Sequence, residues 1–283
     1  MKKTLSLLLA ILMLCSTVAL FASCGKGEPI GVQTGTTGQY FVDGDEEWGF
    51  TGIEGYYAKG YSNGGLAVTD LKNGAIKYVI IDEGPALQLE KTVEGIKVIN
   101  VHLTEEEYAF GVDKNQPALR ESINALLAEM VVNGELAKIL LAYATNNGIN
   151  PVTSAEFDAN KADKQLVVAT NAAFAPFEYK EGDKFAGIDM EIAAYIANKL
   201  GMELVIRDMD FDSVVTSVGS NGVDVAMAGL TVNETRKQSV DFTVSYYNAA
   251  QVLIVAESNT AFDNCKTADA VLAQLKAELE KED

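Results

Sequence analysis

Two stretches of the chain are built to one plan. "DLKNGAIKYVIIDE" (70–83) and "SVGSNGVDVAMAGLT" (217–231) each run from a helix end through Asn-Gly into a short apolar strand, then into a polar or small-residue loop. A unit used twice implies two similar lobes, each with its own sheet. Val/Ile-rich runs recur at Ile30–Gln33, Lys77–Ile81, Lys97–Val101, Leu166–Ala169, Glu203–Ile206, Val223–Met227 and Gln251–Val255. They alternate with helical patterns, which predicts an α/β protein with mainly parallel sheets. Residues 117–132, opened by Pro117, carry Leu119, Ile123, Leu126, Leu127 and Met130 on one helical face. Asp189–Leu200 does the same with Met190, Ala193, Ile196 and Ala197, and Gly201 closes it. In open α/β sheets, ligands sit beyond the carboxyl ends of strands. That puts Asp82 and Ala228–Thr231 where a ligand would be, in two lobes facing one cleft.

The first residues belong to targeting rather than to the fold. Lys2 and Lys3 precede an apolar run, Leu5–Phe21, too short for a stable span, and Ala22-Ser23-Cys24 follows. This resembles a bacterial lipoprotein signal over 1–23, with Phe21 where that pattern prefers Leu. Cys24 is then the lipidated residue, and 24–29 a short anchor linker tethering an exported domain to the outer face of the cell membrane. Of the three cysteines only Cys265 remains, so no disulfide framework and no paired-cysteine metal site is expected. The formal charge of −18 disfavours nucleic acid, whose phosphates need basic clusters, and reads as a solvated surface.

Catalytic constellations are hard to assemble. The single histidine, His102, ends a strand-like run with no Ser-His-Asp or Cys-His set around it. No metal-ligand spacing is present, and no cofactor is called for. In "GVQTGTTGQY" (31–40), Gly31, Gly35 and Gly38 lack both the phosphate-loop ending and the dinucleotide spacing. Arginine is more informative, because the chain has only Arg120, Arg207 and Arg236. Arg236 follows the second strand-end loop, and its planar guanidinium can grip a carboxylate through two parallel hydrogen bonds.

Longer motifs carry a family resemblance. "LVVATNAAFAPFEYKEGDKFAGIDMEIAAYIANKLG", "MDFDSVV" and "DVAMAGLTVNETRKQSVDFTVSYY" closely resemble the first lobe of extracellular amino-acid-binding proteins, solute-binding protein family 3. "IGVQTGTTGQYF", "VIIDEGPA" and "EEEYAFGVDKN" resemble the second lobe. The resemblance implies a two-lobed periplasmic-binding-protein fold of the Venus-flytrap kind, type II. It also implies delivery of a free amino acid to the permease and ATPase of an ABC importer, by a monomer. Carried over by position, Arg236 clamps the α-carboxylate with the backbone of Gly229 and Thr231, and Asp82 receives the α-ammonium. Phe174 and Phe211 flank the ligand side chain, while Thr36, Thr37 and Gly38 offer N–H and hydroxyl groups from the opposite lobe. Each role is physically coherent, since a zwitterion leaving water needs a paired group of each sign. Asn171 stands where receptors of this family for cationic amino acids often carry aspartate, and no second arginine falls on the matched positions. A neutral, polar amino acid is therefore the expected ligand.

The order of these motifs is the reverse of the family's, which implies a circular permutation cut within the second lobe, with domain exchange between two chains as the alternative. The expected division is lobe 2 over 30–107, a hinge strand at 108–112, and lobe 1 helices over 113–145. A permutation linker at 146–165, rich in turn residues, leads into the rest of lobe 1 at 166–245. A second hinge strand at 246–250 returns to the remainder of lobe 2 at 251–283. Two other functions use the same scaffold: an exported cyclic-acid dehydratase, which needs an acid or base in the cleft beyond Asp82, and an amino-acid sensor.

Overall fold

In the computed structural model, which describes residues 27–281, a central strand such as "YVIID" has every residue buried. Strands covered by helices on both faces must be apolar without interruption, and each buried Val or Ile contributes about 1.5–3 kcal/mol. The signal segment 1–23, Cys24 and the start of the anchor linker lie outside the described residues.

The first part of the chain supplies β1 (Glu28–Gln33), α1 (Thr37–Asp43), β2 (Tyr56–Tyr61), α2 (Gly64–Lys72), β3 (Tyr78–Asp82), α3 (Glu83–Thr92) and β4 (Ile96–Ile99). A short β5 (Glu106–Tyr108) leads to β6 (Gly111–Asp113), α4 (Pro117–Val132) and α5 (Glu135–Thr145). Next come β7 (Gln165–Thr170), β8 (Ala173–Phe174), β9 (Glu178–Glu181), β10 (Lys184–Ala186), α6 (Ile188–Leu200) and β11 (Glu203–Asp208). The chain ends with α7 (Phe211–Ser217), β12 (Val225–Ala226), α8 (Glu234–Lys237), β13 (Val240–Phe242), β14 (Tyr247–Ala249), β15 (Gln251–Ala256) and α9 (Ala268–Leu279).

Two five-stranded sheets share one topology. Lobe 2 has the order β2-β1-β3-β15-β4, and lobe 1 has β11-β7-β12-β6-β13. In each, the fourth strand alone runs antiparallel to its neighbours: β15 against β3 and β4, β6 against β12 and β13. Those two strands are also the ones that arrive from the other lobe. Just before them, β5 and β14 pair antiparallel, Tyr108 opposite Tyr247, forming a two-stranded connection between the lobes.

Helix α4 buries Ile123, Leu127 and Met130, and α5 adds Leu136, Ile139 and Tyr143, completing the core of lobe 1. The segment 146–165 lies along this lobe. Val152 pairs with Phe185, Ala155 N–H donates to the Leu204 carbonyl, and a short 3-10 turn covers Ala159–Lys164. Among the described residues no helix is long and apolar enough to cross a membrane.

Candidate functional site

Helix α8 begins at Asn233, whose side-chain oxygen accepts the N–H of Arg236 at 2.8 Å. This cap fixes the arginine one turn beyond the β12 loop. Its guanidinium donates from Nη1 to the Thr231 carbonyl (2.8 Å) and from Nη2 to the Gly35 carbonyl (3.1 Å). The second bond crosses between lobes. Burial lowers the Arg236 pKa to about 10, with the charges of Glu106 and Asp82 opposing, so it stays protonated at neutral pH.

Asp82 ends β3 and is buried, with Tyr108 donating its hydroxyl at 2.5 Å. Burial, then the charge of Glu106, pushes its pKa up to about 7 against the hydrogen bonds of Tyr108 and Gln251. Helix α1 presents its N-terminus to the same place. Thr36 is its cap residue, yet the hydroxyl turns back to the Gln33 carbonyl (2.7 Å) and caps no helical N–H. By helix geometry, the first-turn N–H groups of Thr37 and Gly38 then have no intrahelical acceptor. Such a terminus favours an anion.

Asp82, Arg236, Thr36, Thr37, Phe174, Phe211, Gly229 and Thr231 together line a space of about 10 Å³ between the lobes, room for about one water. The two residues of opposite charge thus share one wall with two phenylalanines. Gly38 and Asn171 are off this wall. At Gly38 a side chain would meet Gln251 and the Ile80 carbonyl, so its role is to let α1 lie close on β3 and β15. The Asn171 amide is occupied by protein partners: it accepts from Gln33 Nε2 (2.9 Å), across the cleft, and donates to the Met209 carbonyl (2.8 Å). Gly229 N–H donates to Asp189 Oδ2 at 2.9 Å, so that donor serves the loop itself. A larger neighbouring groove, lined by Ile81, Pro85, Leu89, Tyr143 and Pro176, has no acidic side chain on its wall.

Three site features escaped the sequence reading. Glu106 is buried and accepts from Thr37 (2.7 Å) and Thr231 (2.5 Å) at one oxygen, and from Thr104 (2.6 Å) and Gln251 (3.0 Å) at the other. It joins both lobes at the hinge. Period-two alternation in "EEY", with Glu106 and Tyr108 inward and Glu107 outward, was the available signal. Trp48 lies with its ring 5.1 Å from the Arg236 guanidinium. Asp189 accepts from Tyr246 at 2.5 Å and is pushed up to about 7 by burial, despite bonds from Gly229 and Tyr246. Beside it, Glu178 is fully buried with neither carboxylate oxygen partnered, and burial, then Asp189, raises its pKa well above the ordinary range. His102 is half exposed and contacts Glu83 at 3.0 Å, away from the cavity. No group of three or more His, Cys, Asp or Glu is arranged to hold a metal among the described residues.

Residues 166–282 match bacterial extracellular solute-binding proteins, family 3. The arginine-binding extracellular protein ArtP of Bacillus subtilis (strain 168) is 35% identical over 128 residues, 45% of this chain and 50% of that protein. The L-cystine-binding protein TcyJ of Escherichia coli (strain K12) is 26% identical over 151 residues, 53% of this chain and 52% of that protein. The chain thus spans about half the length of these curated relatives. Among solved structures, the arginine-bound form of domain 1 from TmArgBP is 26% identical, covering 43% of this chain and 99% of that one, with a TM-score of 0.27.

Proposed function

We propose that this chain, whose residues 166–282 match the bacterial extracellular solute-binding proteins, family 3, captures a free amino acid in its cleft and delivers it to the permease and ATPase of an ABC importer. The observation that carries this reading is the cavity in which Arg236 from lobe 1 and Asp82 from lobe 2 meet. Arg236 and the first turn of α1 hold the α-carboxylate, and Asp82 holds the α-ammonium. Phe174 and Phe211 give the side chain apolar faces. Closure of the lobes about β5 and β14 excludes water, so the two charge pairs form in a low-dielectric setting. The work is binding rather than chemistry.

The ligand is a neutral, polar amino acid. Support comes from the uncharged Gln33–Asn171 pair, which offers no counter-charge to a cationic side chain. The relatives named for arginine and cystine supply the competing candidates. Thermal unfolding with a panel of L-amino acids, including glutamine, serine, arginine, histidine and cystine, tests this. A neutral polar amino acid should raise the midpoint most; no shift with any of them at saturation would defeat the proposal. Arg236→Ala should abolish the shift while leaving the unliganded midpoint close to wild type.

Cys24 anchors the chain by lipid to the outer face of the membrane, and the receptor works as a monomer. The chain is a circular permutant in which 146–165 joins the former ends. Its support is that α5 leads through this segment into β7, where the family match begins. A surface segment of this kind tolerates such a rearrangement.

A further inference from the structure

Lobe 2 reaches over Arg236 with a loop that the binding scheme above does not use. After α1, residues 44–52 fold into a tight turn in which Asp45 and Phe50 form a bridge and Asp45 Oδ1 accepts the N–H of Trp48 at 3.1 Å. Tyr40 stacks on the Trp48 ring at 4.3 Å with a 20° interplanar angle. Trp48 in turn lies 5.1 Å from the Arg236 guanidinium carbon, and Phe211 of lobe 1 lies 5.3 Å from it. Next to this, Thr235 donates to Glu47 at 3.1 Å, a second tie between the loop and α8.

We infer that Trp48 is a positioning residue of the closed cleft, supplied by lobe 2 to hold the Arg236 guanidinium in place for the ligand carboxylate. The physical basis is that Arg236 is buried, and a desolvated guanidinium beside an aromatic face is held more strongly than an exposed one. Its edge is tied by the Thr231 and Gly35 carbonyls, and its neighbouring rings come one from each lobe. Orientation matters because bidentate carboxylate binding tolerates little tilt of the guanidinium plane. Tyr40 fixes the indole from behind, so Trp48 spends little rotamer entropy in doing this. Because Trp48 belongs to lobe 2 and Arg236 to lobe 1, the contact joins the lobes and so couples closure to carboxylate binding.

This inference rests on the amino-acid reading, and two measurements separate the fates of the two. Isothermal titration with L-glutamine and with L-arginine is run on wild type, Trp48→Phe and Trp48→Leu, alongside the melting midpoint of each unliganded protein. Trp48→Leu should weaken the amino acid that binds by about tenfold, the scale of a desolvated cation–π contact, with an unchanged unliganded midpoint. Trp48→Phe should restore most of the affinity. Equal affinity in Trp48→Leu, or a loss that Trp48→Phe does not rescue, overturns the role. If neither binds wild type, the titration is repeated with the panel amino acid that most raises the melting midpoint; if none does, the ligand reading fails and the contact is judged without ligand. Trp48 is the sole tryptophan of the chain, so acrylamide quenching reports on it alone. Quenching that increases in Arg236→Gln supports the contact, and unchanged quenching overturns it.

Discussion

Each lobe holds one buried aspartate against one hinge tyrosine, and the two pairs do different things. In lobe 2, Asp82 accepts from Tyr108; in lobe 1, Asp189 accepts from Tyr246, both at 2.5 Å and both with pKa pushed up to about 7 by burial. Asp189 spends its second oxygen on Gly229 N–H, locking the loop beyond β12. Asp82 instead faces the cavity beside Arg236. The same acid–tyrosine unit is therefore structural where its carboxylate is closed by backbone, and available to a ligand where it is not. On the proposed reading only one such acid is needed, because a zwitterion brings one ammonium.

Substitutions at the two acids should separate these roles. Asp82→Asn removes the ammonium's counter-charge, and amino-acid affinity should fall on the order of 100-fold, the scale of breaking a buried ion pair. Its unliganded midpoint should hold or rise, because a costly buried charge has gone. Asp189→Ala should act in the opposite sense. It strands the Tyr246 hydroxyl and Gly229 N–H, lowering unfolding stability by about 2–4 kcal/mol in a denaturant titration. Were both variants to lose binding with stability intact, the division between the lobes would be wrong.

Gly229→Ala probes the loop that Asp189 holds. Gly229 has φ +53°, and a Cβ there would come 3.0 Å from Phe174 and 3.2 Å from Tyr108. A cost of about 1–3 kcal/mol is expected for strain at such a site, read as a lower unfolding midpoint. A neutral result would mean that the loop relaxes to admit a Cβ even while Asp189 holds its backbone.

Acidity sharpens the comparison further. Both aspartates have folded pKa values raised from 3.8 to about 7. Their protonated forms are favoured by the fold, so this contribution is fully present below about pH 4 and is lost as pH rises through about 7. The unliganded midpoint should thus be higher near pH 5 than near pH 8 as far as these two groups decide it. If Asp82 receives the α-ammonium as proposed, binding needs it ionised, and affinity should fall below about pH 7 by up to roughly tenfold per unit. Affinity that stays level between those limits would exclude Asp82 as the ammonium partner. The smallest effect belongs to the hinge: Thr37→Val removes one of four donors to Glu106 and should cost about 1 kcal/mol, measured by denaturant unfolding.

Much of this arrangement is legible in the sequence, for identifiable reasons. The central strands are near-continuous apolar runs; Asp82 closes the strand "YVIID", and Gly229–Thr231 lie in the loop that follows the strand Val225–Ala226. Helices such as Pro117–Val132 announce themselves by period and by Pro at the first turn. "TTGQYFVD" reads as loop because Gly and Thr dominate its start, while the structure turns it into α1 from Thr37 onward. Glu106 and Trp48 are less visible. Their roles depend on the crossing strands and on lobe closure, which bring residues 125 and 188 positions apart in sequence together. Asn171 is placed by pattern at the cleft, but its amide is taken by Gln33 and Met209, a detail only packing can set.

The central claim is that two lobes grip the two charged ends of one free amino acid. Calorimetric titration with the amino acid that most stabilises the protein, its α-carboxamide and its N-acetyl derivative tests that most directly. The free amino acid should bind, and both blocked forms should bind at least about 100-fold more weakly, since each leaves Arg236 or Asp82 buried without its partner. Tight binding of either blocked form would contradict the account.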